Sequence, residues 1–167
     1  PFIRTEQTAA PLIKRFPQAP HEVWPIQEYV ILSGERYREL IPKERATAMH
    51  ELLQRGDPEE HDLGQGESYT EFMARVADCL DRLGSCTGNT ILYCHGLFLR
   101  GLVKAVLAGH TRPTSRAMVG FDHLWRALAF PNTAMVRLIP DPADDDSFAM
   151  APIATPHLDG QPDLLTG

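Results

Sequence analysis

The stretch 91–109 constrains the fold of this chain more than any other part of the sequence. Residues 91–94 form a short apolar run, typical of a buried strand, and His95 and Gly96 break it. Residues 97–108 then carry leucine and valine side chains at helical spacing and are followed by a glycine. A strand, a turn and a helix in this order form half of a βαβ crossover, which predicts an α/β fold.

Three further helices are predicted from apolar residues at a spacing of three and four. They cover residues 5–16, 43–55 and 69–84. The third begins at Ser68-Tyr69-Thr70-Glu71, which matches a capping box: the serine and glutamate side chains bind N–H groups that a helix start leaves without partners. Residues 21–24, 126–130 and 134–139 are predicted as short strands, and residues 110–125 as a loop.

Length and composition limit the number of domains and the kinds of partner that this protein can have. The chain has 167 residues, enough for one compact domain, which we assign to residues 1–139. Proline and aspartate dominate from residue 140, so residues 140–167 are predicted to form an irregular tail. The net charge of −6 argues against nucleic acid or an anionic membrane as a partner, but it is compatible with a small phosphorylated substrate.

The cysteines and histidines give no sign of a metal site or a disulfide framework. Three cysteines form an odd and sparse set, which favours a reducing, cytoplasmic compartment. The histidines other than His95 show no metal-ligand spacing, and we expect neither a metal nor another cofactor. No apolar run approaches the roughly 18 residues of a membrane-spanning helix.

His95 is the strongest candidate for a functional residue. It lies at the carboxyl end of the predicted strand 91–94, where open α/β sheets bind their ligands. Gly96 allows the backbone to approach a ligand closely, and the following helix directs its free N–H groups and positive dipole end to the same point. These features predict a phosphate site at His95 and Gly96. A core histidine bonded to a backbone carbonyl fits the local sequence as well.

Arg4 and Glu28 are the other candidates. A cation at the start of a helix is disfavoured by the helix dipole, so Arg4 is better explained by a bound anion, and its planar fork suits two phosphate oxygens. Glu28 lies among aromatic and apolar residues, where desolvation would raise the pKa of its carboxyl group and make it a proton donor. A surface arginine and a solvated glutamate are the alternatives at these two positions.

Together these pieces resemble the motifs of the histidine phosphatase superfamily, the phosphoglycerate-mutase-like proteins. Residues 1–9 are similar to the motif Ser-Pro-x-x-Arg-x-x-Gln-Thr-Ala without its serine, and residues 95–103 to the motif of the second histidine. The other resembling segments, in chain order, are residues 23–29, 67–76 and 132–133. The resemblance covers nearly all of the domain 1–139 and implies a three-layer α/β/α sandwich.

The resemblance also implies a mechanism. In the family, a histidine of an Arg-His-Gly sequence on the first strand takes the phosphoryl group, and water or a second substrate then accepts it. By position, Arg4 would clamp the phosphoryl oxygens, His95 would hydrogen-bond them in the transition state, and Glu28 would protonate the leaving oxygen. No metal is required. Arg100 is expected to be structural, because it lies one turn into the helix and points away from the anion site.

The chain departs from the family at the nucleophile, since Arg-His-Gly occurs nowhere in its 167 residues. We therefore expect that an upstream segment, with the central first strand of the sheet, is missing and that this chain by itself is inactive. An open sheet edge would favour association into a homo-oligomer. The alternative is an inactive relative that binds phosphate or a partner protein. The resemblance leaves the substrate open, because family members act on sugar phosphates, phosphoproteins, nucleotides and other phosphomonoesters.

A second enzyme class fits the same stretch. Cys94 and Arg100 are separated by five residues, as in cysteine-dependent phosphatases. Those enzymes need a thiolate held in a cradle of backbone N–H groups, whereas residues 97–99 here are typical of an apolar helix. Cys94 is therefore better explained as a small, buried strand residue.

Overall fold

The computed structural model describes residues 3–141 and 143–156, with the backbone alone for residues 144–146. In this part of the chain, six α-helices are followed by two antiparallel strands. The helices are α1 (Ile3–Arg15), α2 (Gly34–Glu39), α3 (Pro42–Arg55), α4 (Tyr69–Gly84), α5 (Gly96–Ala108) and α6 (Ser115–Ala127), and a short 3₁₀ turn covers Asp62–Gly64. The strands are β1 (Leu138–Asp141) and β2 (Asp144–Met150).

The helices predicted from apolar spacing are confirmed as α1, α3, α4 and α5. The capping box of α4 is formed as predicted: Ser68 Oγ accepts a hydrogen bond from Glu71 N (3.2 Å), and Glu71 Oε2 accepts one from Ser68 N (3.0 Å). Helix α3 ends at Gly56, whose φ of 67° lies in the left-handed region that glycine adopts without strain. The local sequence patterns therefore predicted where these helices begin and end closely.

The core lies between α3, α4, α5 and α6 and is rich in aromatic side chains. Tyr69, Phe72, Phe98 and Phe121 are fully buried, and Tyr29 stacks on Phe72 with ring centroids 4.2 Å apart. Phe98 belongs to the first turn of α5. The core therefore fixes the start of α5, where the predicted site lies.

Helix α6 corrects the prediction of a loop over 110–125 and of a strand over 126–130. Thr114 Oγ1 accepts a hydrogen bond from Ala117 N (3.1 Å) and caps the helix. Ala117 and Phe121 then belong to a buried face that meets α3 and α5. The helical spacing of these side chains is present in the sequence, and the loop prediction overlooked it.

The C-terminal part of the chain contains a β-hairpin where an irregular tail was predicted. Strand β1 pairs with β2 in antiparallel register, with Leu138 opposite Met150. The prediction of irregular chain is therefore wrong for residues 144–150, because pairing with β1 sets this strand despite its aspartates. The domain boundary after residue 139 stays a prediction. The rest of the predicted tail, residues 157–167, lies outside the described residues.

Three further strand predictions fail wholly or in part among the described residues. Residues 21–24 lie in irregular chain, and only the end of the predicted strand 134–139 belongs to β1. Residues 91–94 are also outside any sheet, and their backbone makes no hydrogen bond to another described residue. A strand needs a neighbour for its N–H and C=O groups, and sequence periodicity alone does not reveal that neighbour.

The described part of the molecule is therefore helical with a small sheet, consistent with an α/β fold in the broad sense. Helices α4 and α5 both contact strand β2, so the hairpin packs on the helical core. None of the described helices combines the length and the apolar character needed to cross a bilayer.

Candidate active site

The three side chains predicted from the sequence come together at the start of α5. Arg4 lies in the first turn of α1, His95 immediately precedes α5, and Glu28 lies in the irregular segment before α2. Arg4 Nη2 is 2.8 Å from His95 Nδ1 and 3.9 Å from Glu28 Oε2. Residues 91 positions apart in the sequence therefore form one cluster.

The imidazole of His95 is held as a neutral hydrogen-bond donor. An arginine guanidinium only donates, so His95 Nδ1 accepts from Arg4 and the ring proton is on Nε2. Burial of His95, which is 6% exposed, and the nearby Arg4 charge lower the pKa of its ring to about 4. At neutral pH the ring is therefore uncharged, with an Nε2–H group that can donate to a phosphoryl oxygen.

The carboxylate of Glu28 occupies the N-terminus of α5. Glu28 Oε1 accepts a hydrogen bond from Leu97 N (2.9 Å) and a longer one from Tyr29 N (3.3 Å). Desolvation by burial raises the pKa of Glu28, and the backbone hydrogen bonds and the Arg4 charge only partly oppose this rise. The sequence predicted phosphate contacts at this helix end, whereas the N–H of Leu97 binds Glu28, because a carboxylate also suits the positive end of the helix dipole.

Gly96 is the first residue of α5 and directly follows His95. Its backbone N–H makes no hydrogen bond to another described residue, so it is a donor at this helix end that a phosphoryl oxygen could use. A Cβ at this position would lie 3.1 Å from an Arg100 guanidinium nitrogen, which is a tight contact. A phosphate-binding role for Gly96 stays a prediction that this geometry permits.

Arg100 and Cys94 are poorly suited to cysteine-dependent phosphatase chemistry. The Arg100 guanidinium donates to the carbonyl oxygens of Leu128 (2.7 and 3.1 Å) and Gly96 (3.0 Å), which ties α5 to the segment after α6. These bonds are compatible with a structural role for Arg100, but the expectation that it points away from the anion site is wrong, because its guanidinium folds back along α5 to Gly96. Burial raises the pKa of the Cys94 thiol to about 12, so the thiolate is disfavoured at neutral pH.

The sequence interpretation did not find an ion pair that contacts the backbone of the segment carrying Glu28. Glu67 and Arg75 form an ion pair (Nε to Oε1, 2.7 Å), and Arg75 also binds the backbone carbonyl oxygen of Gln27 (3.1 Å). Both residues belong to the segment 67–76, whose sequence by itself indicates a helix and its cap but not this ion pair. The pairing of Glu67 with Arg75, eight positions apart, is the signal that could have found this contact.

Comparison with known proteins identifies the family of this chain. A family model described as the histidine phosphatase superfamily (branch 1) matches residues 1–138. The chain belongs to the histidine phosphatase superfamily. The matched part of this histidine phosphatase chain contains Arg4, Glu28, His95 and Gly96, and superfamily membership supports a phosphatase-like function in the general sense. No curated protein and no solved structure matches the chain.

Proposed function

We propose that this chain supplies the phosphate-binding and proton-transfer groups of a phosphatase that hydrolyses a phosphomonoester through a phosphohistidine intermediate. The observation that carries the proposal is the 2.8 Å hydrogen bond between Arg4 and His95 beside the partly buried carboxylate of Glu28. These groups offer a cation, a neutral N–H donor and a proton donor around one point. The family match over residues 1–138 supports the same reaction class.

Arg4 and His95 would bind the phosphoryl group. The Arg4 side chain is 61% exposed, so its guanidinium can meet a ligand from solvent while Nη2 stays on His95. The Nε2–H of His95 would donate to a phosphoryl oxygen as charge develops there in the transition state. Preorganised donors of this kind are commonly the largest catalytic contribution, and loss of one costs about 10²–10³ in rate.

Glu28 would transfer the proton. Burial raises its pKa and so makes the protonated form easier to reach, and the protonated carboxyl group would give its proton to the leaving oxygen as the P–O bond breaks. The resulting carboxylate would then take a proton from the water that attacks the phosphohistidine. The N–P bond breaks in this second step, phosphate leaves, and Glu28 returns to its protonated form.

The nucleophilic histidine is proposed to come from residues outside these 167, because Arg-His-Gly is absent from the sequence. The backbone groups of residues 91–94, which make no hydrogen bond within the described ranges, would pair with the strand that carries it. Such a strand would bring its histidine close to His95 and extend the fold towards a three-layer α/β/α sandwich. Without that segment, the chain would bind phosphate but not hydrolyse a phosphomonoester.

A small phosphorylated molecule is the substrate class that we propose. The net charge of −6 disfavours polyanionic partners such as nucleic acid or an anionic membrane, whereas a local cation is sufficient for one phosphoryl group. The free cysteines Cys79, Cys86 and Cys94 favour a reducing compartment such as the cytoplasm. In the chain without that strand, pairing of residues 91–94 between two copies would give a homo-oligomer.

The affinity of the chain for inorganic phosphate tests the proposal without turnover. Isothermal titration calorimetry would compare the wild type with Arg4→Lys and His95→Ala. The matched controls are Arg15→Lys, at the other end of α1, and His123→Ala, on the exposed face of α6. We expect each site variant to weaken phosphate binding by at least about tenfold, because Arg4→Lys loses the planar fork that can bind two oxygens and His95→Ala loses a donor, while the controls bind as the wild type does.

Equal phosphate affinity in all of these proteins would contradict the proposal. A different pair of results would favour the inactive relative that only binds phosphate. In that case the two site variants lose affinity, and the protein expressed from the complete reading frame hydrolyses no phosphomonoester.

A further inference from the structure

We propose that Glu67 and Arg75 are positioning residues for the Glu28 carboxylate. They hold the irregular segment 25–30 so that this carboxylate reaches the backbone N–H of Leu97 at the start of α5. The inference rests on the proposed function only for the role of Glu28 as proton donor, since the placement of the carboxylate is a matter of geometry.

The ion pair is bidentate and largely buried. Arg75 Nε donates to Glu67 Oε1 (2.7 Å) and Arg75 Nη2 donates to Glu67 Oε2 (2.8 Å), so two parallel bonds fix the plane of the guanidinium. The two side chains are only 15% and 16% exposed. A fork fixed in this way directs Nη1 to one place, which a lysine ammonium cannot reproduce.

The same ion pair binds the backbone on both sides of Glu28. The remaining guanidinium nitrogen, Nη1, donates to the carbonyl oxygens of Pro25 (2.9 Å) and Gln27 (3.1 Å). On the other side, Val30 N donates to Glu67 Oε2 (3.2 Å), and Glu67 N donates to Val30 O (2.8 Å). The segment lies outside helices and strands, so these bonds take the place of a helix or sheet ladder.

Arg75 also contacts the helix end that receives the carboxylate. Its guanidinium carbon lies 5.3 Å from the ring centroid of Phe98, in the first turn of α5, and 5.7 Å from that of Phe72. Phe98 directly follows Leu97. One side chain therefore touches both the segment that carries Glu28 and the helix end that binds it.

A merely structural ion pair and a positioning pair predict different results. If Glu67 and Arg75 only stabilise the fold, weakening them lowers the free energy of unfolding and leaves the bond from Leu97 N to Glu28 intact in the folded protein. If they position Glu28, the carboxylate leaves the start of α5 while the chain stays folded. Burial, backbone hydrogen bonds and the Arg4 charge shift the pKa of Glu28, so a variant that keeps the Arg75 charge isolates the geometry.

The test is Arg75→Lys in the full chain, labelled with ¹³C-glutamate and ¹⁵N and followed by NMR. The matched control is Arg36→Lys, which weakens a similar ion pair, Arg36 Nη1 to Asp62 Oδ1 (2.7 Å), whose carboxylate binds the backbone N–H of Ser33 rather than residues 25–30. Two readouts are used: the pKa of the Glu28 carboxyl group, assigned with Glu28→Gln, and the hydrogen exchange of the Leu97 amide.

In Arg75→Lys we expect the pKa of Glu28 to fall towards its ordinary value, because the carboxyl group moves from a buried place into water. The Leu97 amide should exchange at least about tenfold faster, because a first-turn N–H has no partner within its own helix. The control should show neither change. Glu67→Gln, which keeps the shape of the partner but removes its charge, should shift both readouts in the same direction by less.

Unchanged values of both readouts in Arg75→Lys and Glu67→Gln would overturn the positioning role. If Arg75→Lys does not fold, the same two readouts in Glu67→Gln decide the matter. Neither readout involves phosphate, so failure here is distinct from failure of the proposed function, which the phosphate affinities of Arg4→Lys and His95→Ala decide separately.

Discussion

At the scale of single residues, the charge of His95 decides whether the site can bind phosphate as proposed. A protonated imidazole has no acceptor for Arg4, so the 2.8 Å bond requires a neutral ring. The folded protein lowers the pKa of this ring from 6.5 to about 4 by burial and by the Arg4 charge. Between these two pH values the unfolded chain binds more protons than the folded chain, so acid favours unfolding.

We therefore expect the free energy of unfolding to fall as the pH falls from 6.5 to about 4, and to fall less in His95→Gln. The difference in free energy of unfolding between the wild type and His95→Gln should change by on the order of 2 kcal/mol across this pH range. Urea unfolding at a series of pH values measures it, with His123→Gln as the control at an exposed ring. A difference that stays constant across the window would show that His95 is not held neutral.

A second prediction concerns two buried tyrosines with different surroundings. The hydroxyl of Tyr69 donates to Ala117 O (3.2 Å), whereas the buried hydroxyl of Tyr29 has no hydrogen-bond partner among the described residues. Tyr69→Phe should lower the free energy of unfolding by about 1 kcal/mol, and Tyr29→Phe should leave it unchanged or raise it by about 1 kcal/mol. Urea unfolding of both variants measures this. A larger loss in Tyr29→Phe than in Tyr69→Phe would contradict it.

At the scale of helices and strands, α5 approaches α4 closely at Gly101. A Cβ at Gly101 would lie 2.6 Å from Phe72 Cζ and 2.9 Å from Val76 Cγ2, distances that real side chains essentially never show. The absence of a side chain at this position therefore allows the contact between the two helices.

We expect Gly101→Ala to lower the free energy of unfolding by about 1–3 kcal/mol, because overpacking outweighs the better helix propensity of alanine. Gly120→Ala on α6 is the matched control. Its Cβ would meet only the Lys104 side chain at 3.5 Å, so this variant should be neutral or more stable by up to about 1 kcal/mol. Thermal and urea unfolding give the order of stability of the two variants. A Gly101→Ala variant as stable as Gly120→Ala would refute the close approach of α5 to α4.

The elements that could be predicted from the sequence are those with local signals. Helix α4 has its capping box at Ser68 and an apolar stripe, and both are written in consecutive residues. The cap of α6 at Thr114 is equally local, so its omission was an error of interpretation. Strand β2 could not be foreseen in the same way, because its aspartates suggest a loop and only pairing with β1 makes it a strand. Residues 91–94 show the opposite case, a strand-like sequence without a neighbour among the described residues.

The candidate site could be predicted only in part, for a similar reason. Motif order pointed to Arg4, Glu28 and His95, and the structure brings these three together. The hydrogen bond from Leu97 N to Glu28 joins positions 69 residues apart, and no local pattern reveals it. Contacts of this kind depend on the packing of the segment before α2 against α5.

At the scale of the whole molecule, the helical core holds the candidate site beside a stretch of backbone that makes no hydrogen bond to another described residue. The core between α3, α4, α5 and α6 fixes the start of α5, and residues 91–94 lead directly into His95. A strand paired with 91–94 would enter next to the phosphate-binding groups. We propose that a further segment completes both the sheet and the site, which would explain the absence of Arg-His-Gly and the lack of backbone partners for residues 91–94 among the described residues.

The most direct test is the hydrolysis of a simple phosphomonoester, p-nitrophenyl phosphate, by the protein expressed from the complete reading frame that contains the Pro1 codon. The account predicts that this frame encodes a strand-like run ending in Arg-His-Gly. It also predicts that the protein hydrolyses the ester and that His95→Ala reduces the rate by about 10²–10³. A frame without such a segment, or hydrolysis that persists at the wild-type rate in His95→Ala, would contradict it.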